Sequence, residues 1–283
     1  MKSATRSSVN VICMKWGDAY GPAYVNNLHR GVSRHLGRPH RFICFTDNTD
    51  GIDHHIETLP LPDLNTPEGV QDTRWRKLTL FSFQLANLRG PTLFLDLDVV
   101  IVGDLDVFFD YPGEVVMIRD DDLFRPKPLR KLNPQRDAFL ASVGNSSVFR
   151  YEIGAYPYVL DTYRAHPRLA HRRYEISQQF QSAQLLRRGH LSYWPSDWCV
   201  SFKNKCVPSR LRSFWEHPVV PEGARIVVFA GRPKMEDVLA GRGNRWYRRI
   251  GNIEWLRTAW QPDDKHALVP DSAVFTPPLK REA

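Results

Sequence analysis

The feature that most constrains this chain is an apolar stretch, PTLFLDLDVV at 91–100, that carries two acidic residues. Asp96 and Asp98 interrupt it with only Leu97 between them. Carboxylates are rarely placed in so apolar a run without a partner. Because residues i and i+2 point the same way on a strand, both carboxylates can face one ligand at the strand's carboxyl end. In an open parallel sheet that edge binds ligands, and two hard oxygen donors there suit manganese or magnesium.

The same spacing has a simpler explanation, in which both aspartates cap a loop or form salt bridges with basic residues of the second half. Asp104 and Asp106 repeat the spacing eight residues later, and we interpret them as a turn with solvated charges. The spacing alone therefore leaves a metal site and a structural role open for Asp96 and Asp98.

The hydrophobic pattern predicts an α/β fold, because segments typical of buried strands alternate with segments of helical spacing. In the first half this alternation implies a parallel sheet, and Pro22 fits the first turn of a helix. The pattern predicts strands at 9–14, 41–45, 92–97, 115–118, 147–150, 191–194 and 225–229, and helices at 24–36, 75–88, 152–165 and 175–188. The charged segment 119–139 is predicted to be a loop or lid, and residues from 261 onward a tail.

Composition and charge narrow the class of protein. The 283 residues are 42% hydrophobic, which suffices for a sizeable core. No apolar run approaches the roughly 18 residues of a membrane-spanning helix, and the first eight residues lack the apolar stretch of a secretory signal. We therefore expect a cytoplasmic protein. The four cysteines follow neither a zinc nor a disulfide pattern, so we expect buried, unpaired thiols.

The net charge of +8 is unevenly placed, because residues 1–118 hold 11 basic and 14 acidic side chains whereas 119–283 hold 28 and 17. Nucleic acid, an anionic membrane surface and a phosphate-bearing substrate are all compatible with a basic second half. No recognised nucleic-acid motif accompanies the charge, so we expect no nucleic-acid partner. Peripheral contact with an anionic membrane surface stays open.

Taken with its surroundings, the Asp96–Leu97–Asp98 stretch resembles the Asp-x-Asp (DXD) motif of GT-A fold nucleotide-sugar glycosyltransferases. It is most similar to the retaining, glycogenin-like and lipopolysaccharide galactosyltransferase-like family, and matching blocks run in order from about residue 9 to about 234. The resemblance implies a GT-A-like (Rossmann-like) α/β fold with a mixed sheet flanked by helices and a smaller acceptor-side region. It places one catalytic domain at 1–260, with a nucleotide-binding half at about 1–112 and an acceptor-side half at about 113–260, followed by a flexible tail at 261–283.

Three blocks of this resemblance concern the sugar donor. Asp18 and Tyr20 match a loop whose tyrosine stacks on uracil, although Tyr20 could equally pack under the first helix. Lys77 matches a lysine that reaches toward the donor sugar and the metal. Asn145 matches a residue that contacts sugar hydroxyls, and Ser147 stands where the family usually has glycine.

The last block, VVFAGRPK at 227–234, resembles the family's His-Phe-x-Gly-x-x-Lys-Pro loop. It implies that the Gly231 backbone closes on the pyrophosphate and that Lys234 offsets the charge of the leaving group. An ordinary strand-to-turn junction would explain the same residues. Val228 stands at the position of the histidine that supplies a third metal ligand, and Val228 cannot coordinate a metal.

A further departure concerns the family's Asp-Gln pair, which is best matched by Gln178 and Gln179. Gln179 is then assigned to orient the sugar or to stabilise developing positive charge, and not to act as a nucleophile. The acceptor side falls at 119–215, where aromatic residues could contact sugar rings or belong to the core. Arginines 172, 173, 187 and 188 could face an anionic lipid-linked or phosphorylated glycan, or could simply be solvated.

The resemblance implies a metal-dependent, retaining transfer of a sugar from a nucleotide-diphosphate sugar, a UDP-sugar, to a hydroxyl of a carbohydrate or glycolipid acceptor. Surface polysaccharide or glycan biosynthesis is the implied context. The protein is expected in the cytoplasm, and a peripheral position at the inner membrane stays open on the basis of its charge. Asp96 and Asp98 are assigned to manganese or magnesium, and Asp98, Lys234 and Gln179 to catalysis. The alternative is a catalytically silent module of the same fold that binds a nucleotide sugar or glycan.

Overall fold

The computed structural model describes residues 7–67, 74–119, 134–208, 212, 215–242 and 253–260. The strands are β1 (Val9–Lys15), β2 (His40–Thr46), β3 (Glu57–Pro60), β4 (Pro91–Leu95), β5 (Val99–Ile101), β6 (Val115–Arg119), β7 (Gly144–Glu152), β8 (Leu191–Tyr193), β9 (Cys199–Ser201) and β10 (Ile226–Val228). The α-helices are α1 (Pro22–His35), α2 (Asp106–Asp110), α3 (Pro134–Ala141), α4 (Tyr158–Ala165), α5 (Pro167–Arg173), α6 (Ser177–Arg187), α7 (Met235–Leu239) and α8 (Glu254–Ala259). A 3-10 helix covers Arg76–Phe81 and a π-helical turn covers Phe202–Cys206.

Seven strands form one mixed sheet in the order β3-β2-β1-β4-β7-β6-β8. The strands β3, β2, β1 and β4 run parallel, whereas β7 is antiparallel to both of its neighbours, β4 and β6. The expected α/β class with a mixed, helix-flanked sheet is therefore confirmed. The wholly parallel arrangement that the first half suggested does not extend past β4.

Strand β1 shows why the sheet sits at the centre. All seven of its residues are buried, as expected for a parallel strand covered on both faces. Val11 and Cys13 belong to the hydrophobic cluster that includes α1, and Ile12 and Met14 belong to the cluster on the opposite face. The period-two alternation of strand side chains thus feeds two cores from one strand.

A smaller sheet in the order β5-β10-β9 adjoins the large one. The link from β4 in the large sheet to β5 in the small one consists of Asp96, Leu97 and Asp98 alone. Its ends are fixed by backbone hydrogen bonds, because the Asp96 N–H donates to the Ser147 carbonyl and the Phe229 N–H donates to the Asp98 carbonyl, both at 2.8 Å. The predicted strand 92–97 therefore ends at Leu95, and the two aspartates lie where the chain crosses between sheets.

Two predicted helices are shorter than the sequence indicated. The segment 75–88 is a helix only over Arg76–Phe81, and the chain then turns through Ala86 and Asn87, which have positive φ angles. The segment 152–165 begins as the end of β7 and becomes helical only at Tyr158. Pro157 immediately precedes that helix, and the residue before a proline is disfavoured from helical geometry.

The interpretation of Asp104 and Asp106 as a turn with solvated charges is wrong for Asp106. Asp106 is only 8% exposed, and it accepts hydrogen bonds from Arg38 Nε at 2.6 Å and from the Gly37 N–H at 2.9 Å. Asp104 is exposed, and its carboxylate accepts the Asp106 N–H. The repeat of the acidic spacing thus combines a helix-start turn with a buried ion pair.

The structure also tests several smaller expectations, although some of them fall on residues outside the described ranges. The four cysteines are buried and free, as expected. Of the aromatic residues at 119–215 that could contact sugar rings or belong to the core, Trp194 and Phe202 belong to the core. The predicted loop or lid at 119–139 lies partly outside the described residues and is helical from Pro134. The predicted tail lies wholly outside them. No helix in the described ranges is long and apolar enough to span a bilayer.

Candidate active site

A cleft of about 370 Å³ opens at the carboxyl ends of β1 and β4. Side chains from the β1–α1 connection form one wall and the link between β4 and β5 forms the floor. The remaining walls come from the 3-10 helix, from β7 and from the start of α6. The cleft is lined by Met14, Trp16, Ala19, Tyr20, Arg74, Lys77, Asp96, Leu97, Asp98, Ser146, Ile176, Ser177 and Gln178. The edge at which the sequence placed a ligand site is therefore concave.

Asp98 is the most constrained acidic group of the cleft. Its Oδ2 accepts a hydrogen bond from the Tyr20 hydroxyl at 3.1 Å. Its Oδ1 is buried and has no hydrogen-bond partner in the described part of the chain. Burial, reinforced by the neighbouring Asp96 carboxylate, raises the pKa of Asp98 to about 6. A buried oxygen without a partner costs folding free energy, so this atom is available to coordinate a cation or to accept a hydrogen bond from a ligand.

Asp96 is partnered differently. Its Oδ2 forms an ion pair with Lys77 Nζ at 2.6 Å, and the same ammonium lies 3.4 Å from the Ser146 carbonyl. The ammonium also lies 5.2 Å from the centre of the Phe94 ring. The 3-10 helix thus carries Lys77 to the β4 edge. The salt bridge that the sequence left open for the aspartates exists for Asp96, but its cation comes from the first half of the chain.

Tyr20 separates this cleft from a second cavity of about 320 Å³, because its side chain lines both. The second cavity is lined by Lys15, Gly17, Asp18, Tyr20, Gly21, Pro22, Asn48, Asp50 and Gly51. Asp18 is exposed on its rim. The loop is anchored to the next strand connection because the Gly17 N–H donates to Asp47 Oδ2 at 3.0 Å. The two cavities thus lie on either side of Tyr20.

Lys234 reaches Tyr20 from the loop that follows β10. Its Nζ donates to the Ala19 carbonyl at 2.6 Å and lies 4.5 Å from the centre of the Tyr20 ring. Gly231 in the same loop has φ +80°, a left-handed conformation that favours glycine. The structure therefore brings Lys234 to the rim of the cleft, beside the tyrosine that binds Asp98.

Asn145 and Gln179 do not line the cleft. The Asn145 side chain accepts the Ser147 N–H at 2.8 Å, and Ser146 between them faces the cleft. Gln179 is only 4% exposed, and its Oε1 accepts the Glu175 N–H at 3.1 Å. Its neighbour Gln178 lines the cleft instead. Successive residues of a helix point about 100° apart, so a shift of one position changes which glutamine can meet a ligand.

The pairing of β7 explains how Ser146 enters the site. Met117 of β6 pairs with Phe149, but the next residue, Ile118, pairs with Asn145, so three residues of β7 leave β6 at this point. The residues that leave continue to pair with β4 through Val148. This bulge turns the Ser146 carbonyl toward Lys77, as bulges near sites commonly re-aim groups. Alternation in the sequence gives no signal for it.

Arg74 is a cleft residue that the sequence did not single out. It lies three positions before Lys77, and its carbonyl accepts the Ser177 hydroxyl at 2.6 Å. That bond ties the chain before the 3-10 helix to the first residue of α6. The only signal in the sequence is the proximity of Arg74 to the Arg-Lys-Leu block, which consists of Arg76, Lys77 and Leu78 and contains the lysine that matches the family.

The residues present fit part of a divalent metal site. Asp98 Oδ1 is an unpartnered buried oxygen beside a second carboxylate, and carboxylate oxygens are the donors that manganese and magnesium prefer. At the position where the resemblance places a third protein ligand, Val228 is 5% exposed, packs in the core and pairs with Val99. Across the described ranges, no group of three His, Cys, Asp or Glu side chains could hold a metal. Within the described residues, the protein therefore offers two carboxylates to such an ion, Asp96 and Asp98.

Comparison with known proteins places the fold. No protein-family model matches the sequence, and no curated protein shows significant similarity to it. The apo structure of WbbM, a bifunctional glycosyltransferase, superposes with a TM-score of 0.56 at 11% identity, over 83% of this chain and 48% of WbbM, so the chain spans about half of that protein.

The galactosyltransferase LgtC, solved in complex with donor and acceptor sugar analogues, gives a TM-score of 0.50 at 15% identity over 80% of this chain and 88% of its own. An LgtC variant with an active-site glutamine changed to glutamate gives the same TM-score and identity, over 80% and 89%. The chain therefore has the GT-A-like α/β fold of these glycosyltransferases, as the resemblance in its sequence predicted.

Proposed function

We propose that this protein transfers a sugar from a nucleotide-diphosphate sugar, a UDP-sugar, to a hydroxyl of a carbohydrate or glycolipid acceptor. The observation that carries the proposal is the unpartnered, buried carboxylate oxygen of Asp98 in a cleft at the strand edge of a glycosyltransferase fold. Cationic side chains of Arg74 and Lys77 line the same cleft. Such a mixture of acidic and basic groups suits a metal-bound diphosphate better than a neutral ligand.

The two cavities divided by Tyr20 suggest how the donor lies. We assign the nucleoside to the cavity that includes Asp18, and the sugar and diphosphate to the cleft that includes Asp96 and Asp98. Tyr20 lines both and offers an aromatic face for the base, as its resemblance to the uracil-stacking tyrosine implies. Its hydroxyl meanwhile orients the carboxylate of Asp98.

Lys234 and the Gly231 backbone are assigned to the departing diphosphate. The Lys234 ammonium donates to a neutral carbonyl, that of Ala19, and an anionic phosphate oxygen would be a stronger acceptor. Exchange of one acceptor for the other needs only a side-chain movement. A cation that meets charge as it develops on the leaving group stabilises the transition state more than the ground state.

A divalent ion held by Asp96 and Asp98 would neutralise part of the diphosphate charge when bound. Lys77 forms an ion pair with Asp96, which would also bind the ion. From there Lys77 would reach toward the donor sugar, the role that the resemblance of the Arg-Lys-Leu block implies. The Asn145 side chain accepts a hydrogen bond from the Ser147 N–H and does not line the cleft, whereas its neighbour Ser146 does. We therefore assign the direct contact on β7 to Ser146.

Retention without an enzyme nucleophile is consistent with the composition of the cleft. Asp96 and Asp98 are the only carboxylates among its described lining residues, and both are assigned to the metal. Gln178 offers a carboxamide, which can orient the sugar but does not form a stable glycosyl ester. The role that the sequence gave to Gln179 thus passes to Gln178. A role in surface polysaccharide or glycan biosynthesis stays a prediction of the resemblance, and a cytoplasmic location stays a prediction of the sequence composition.

The test is release of UDP from a panel of UDP-sugars, with acceptors and with or without manganese, by wild-type protein and Asp98→Asn. We expect at least about a 100-fold loss of metal-dependent release in Asp98→Asn, because the cleft loses a charged ligand. Asp161→Asn on the exposed surface of α4 is the matched control and should retain turnover. Unchanged turnover in Asp98→Asn refutes the site.

A catalytically silent module is the second candidate, and two observations favour it. Val228 replaces the third ligand, and the Lys77 ammonium at 2.6 Å already compensates Asp96 without a metal. Calorimetric titration of UDP-sugars separates the two functions. Tight donor binding with no UDP release across the acceptor panel would favour the silent module over the transferase.

A further inference from the structure

The helix α5 presents an exposed basic face that the proposed sugar transfer does not use. This α5 face consists of Arg168, Leu169, Arg172 and Arg173, all of which are exposed. The opposite side of the helix packs inward, because Ala170 is buried and the His171 ring stacks on Trp75 at 4.2 Å. The helix is therefore anchored by one side, and the other side is fixed in its outward orientation.

Among the described residues, no acidic side chain forms an ion pair with an arginine of the α5 face. The chain from 162 to 174 contains four arginines and no acidic residue. Neither Arg168 nor Arg172 has an ion pair within the described residues. The next acidic residue, Glu175, is paired with Arg136 at 2.7 Å. An external anion would thus meet arginines that no described carboxylate already engages.

Leu169 distinguishes among anionic partners. It is 56% exposed in the middle of the arginines, and it is one of four exposed large hydrophobic residues in the described ranges. A nucleic acid or an acidic peptide would use the arginines but would leave an isolated leucine in water. A phospholipid surface accommodates both, because guanidinium groups bind the phosphates while an apolar side chain enters the interface.

We propose that the α5 face docks this protein on an anionic phospholipid surface. Each basic residue near such a surface strengthens binding about five-fold, so three arginines and one leucine give weak, reversible and salt-sensitive attachment. The proposal does not depend on sugar transfer. Docking would nevertheless bring the cleft close to the membrane, since Ile176 and Ser177 line the cleft only three and four residues after Arg173.

The first test is co-sedimentation of the full chain with vesicles of phosphatidylcholine alone or with about one-third phosphatidylglycerol. We expect binding only to the anionic vesicles, with loss in high salt. Arg168→Glu with Arg172→Glu should reduce it at least about 25-fold, by the same per-residue factor. Arg89→Glu with Lys205→Glu changes the net charge equally at exposed sites elsewhere and should bind as wild type. Equal loss in both double variants would overturn the α5 assignment.

A fluorescently labelled protein tests whether the α5 face is the part that contacts the lipid, even if a charge variant fails to fold. Because the four native cysteines are buried, Leu169→Cys can be labelled selectively with an environment-sensitive fluorophore. Anionic vesicles should shift its emission to shorter wavelength, whereas a short RNA should not. Binding to vesicles without that shift, or a shift with RNA alone, would refute lipid docking through this face.

Discussion

At the residue scale, Asp98 shows how a site carries a cost in stability. Burial and the adjacent Asp96 carboxylate raise its pKa to about 6, above the ordinary value of 3.8. The folded protein therefore binds more protons than the unfolded chain between about pH 4 and 6. Stability falls as the pH rises through that window, since the folded state resists ionisation there. Above it, the charged carboxylate stays in place at the expense of folding free energy.

We predict that Asp98→Asn stabilises the metal-free protein at pH 8 by about 1–2 kcal/mol, because the amide carries no buried charge. The gain should shrink toward pH 4, where the wild-type carboxyl is protonated. Urea unfolding in the presence of a chelator at both pH values measures the difference in the free energy of unfolding between the variant and the wild type. Asp96→Asn is the contrasting variant: it leaves the Lys77 ammonium without its partner and should not stabilise. A pH-independent difference for Asp98→Asn would contradict the explanation.

Lys234 gives a kinetic prediction. In Lys234→Gln the leaving diphosphate loses its cation at the rim, so we expect kcat for UDP release to fall about 10- to 100-fold with a smaller change in KM. Lys205→Gln, at an exposed site on the π-helical turn, is the matched control and should leave both constants unchanged. A change confined to KM would assign Lys234 to ground-state binding of the donor.

How far the site could be predicted differs from residue to residue. Asp96 and Asp98 were recognisable because carboxylates in an apolar strand are rare, and Lys77 because it belongs to a motif with fixed order. Gln178 and Gln179 could not be told apart, because the phase of a helix on its neighbours is a tertiary property. The bond from Lys234 to Ala19 joins residues 215 positions apart, which no local pattern encodes.

At the scale of elements, Arg150 holds the end of α2 and the turn before β6. This buried guanidinium donates to the carbonyls of Phe109 at 3.2 Å and Tyr111 at 2.6 Å, and also to those of Phe108 and Gly113. Burial lowers its pKa. The carbonyls at the end of a helix lack internal donors, and here one side chain from β7 satisfies several of them.

We predict that Arg150→Met destabilises the protein by about 3 kcal/mol, since several buried carbonyls lose their donor. Arg150→Lys should recover only part of this, because an ammonium lacks the planar fork that reaches carbonyls on both sides. Urea unfolding followed by circular dichroism gives both values. Arg187→Met at the exposed end of α6 serves as the control. Equal stability of Arg150→Lys and wild type would show that charge alone suffices.

Helices and strands were predictable from the sequence where the buried residues of the element recur with a clear period. Strand β1 and helix α1 were found within two residues, because buried strands and one-sided helices leave clear periods. The segment 75–88 misled for the same reason: its apolar residues are buried at helical spacing, but the chain makes a short 3-10 helix and a turn. The bulge between β6 and β7 depends on β4 and Lys77, so it exists only in the assembled sheet.

At the scale of the whole molecule, the division at residue 112 does not separate two cores. Strand β4 from the first half pairs with β7 from the second, and β5 pairs with β10. The link that carries Asp96 and Asp98 is fixed at both ends by residues of the second half, Ser147 and Phe229. The alternation of strands and helices in the first half was readable from the sequence, but the short strands β3, β5 and β9 were not predicted. The interleaving depends on long-range pairing that local periodicity does not encode.

We therefore predict that residues 1–112 alone do not fold cooperatively. Without the second half, β4 and β5 lose hydrogen-bonded neighbours, and apolar residues such as Leu95 and Val99 lose the partners that bury them. Such a fragment should show no sigmoidal urea transition and no UDP-sugar binding by calorimetry. The matched control, residues 1–260, keeps every strand of the described ranges and should unfold in a single transition, because residues 261–283 are expected to be a tail outside the core. A cooperative transition in 1–112 would mean that the parallel strands β1, β2 and β3, of which only β1 pairs with β4, suffice to hold β4. The paired aspartates would then be a property of the first half alone.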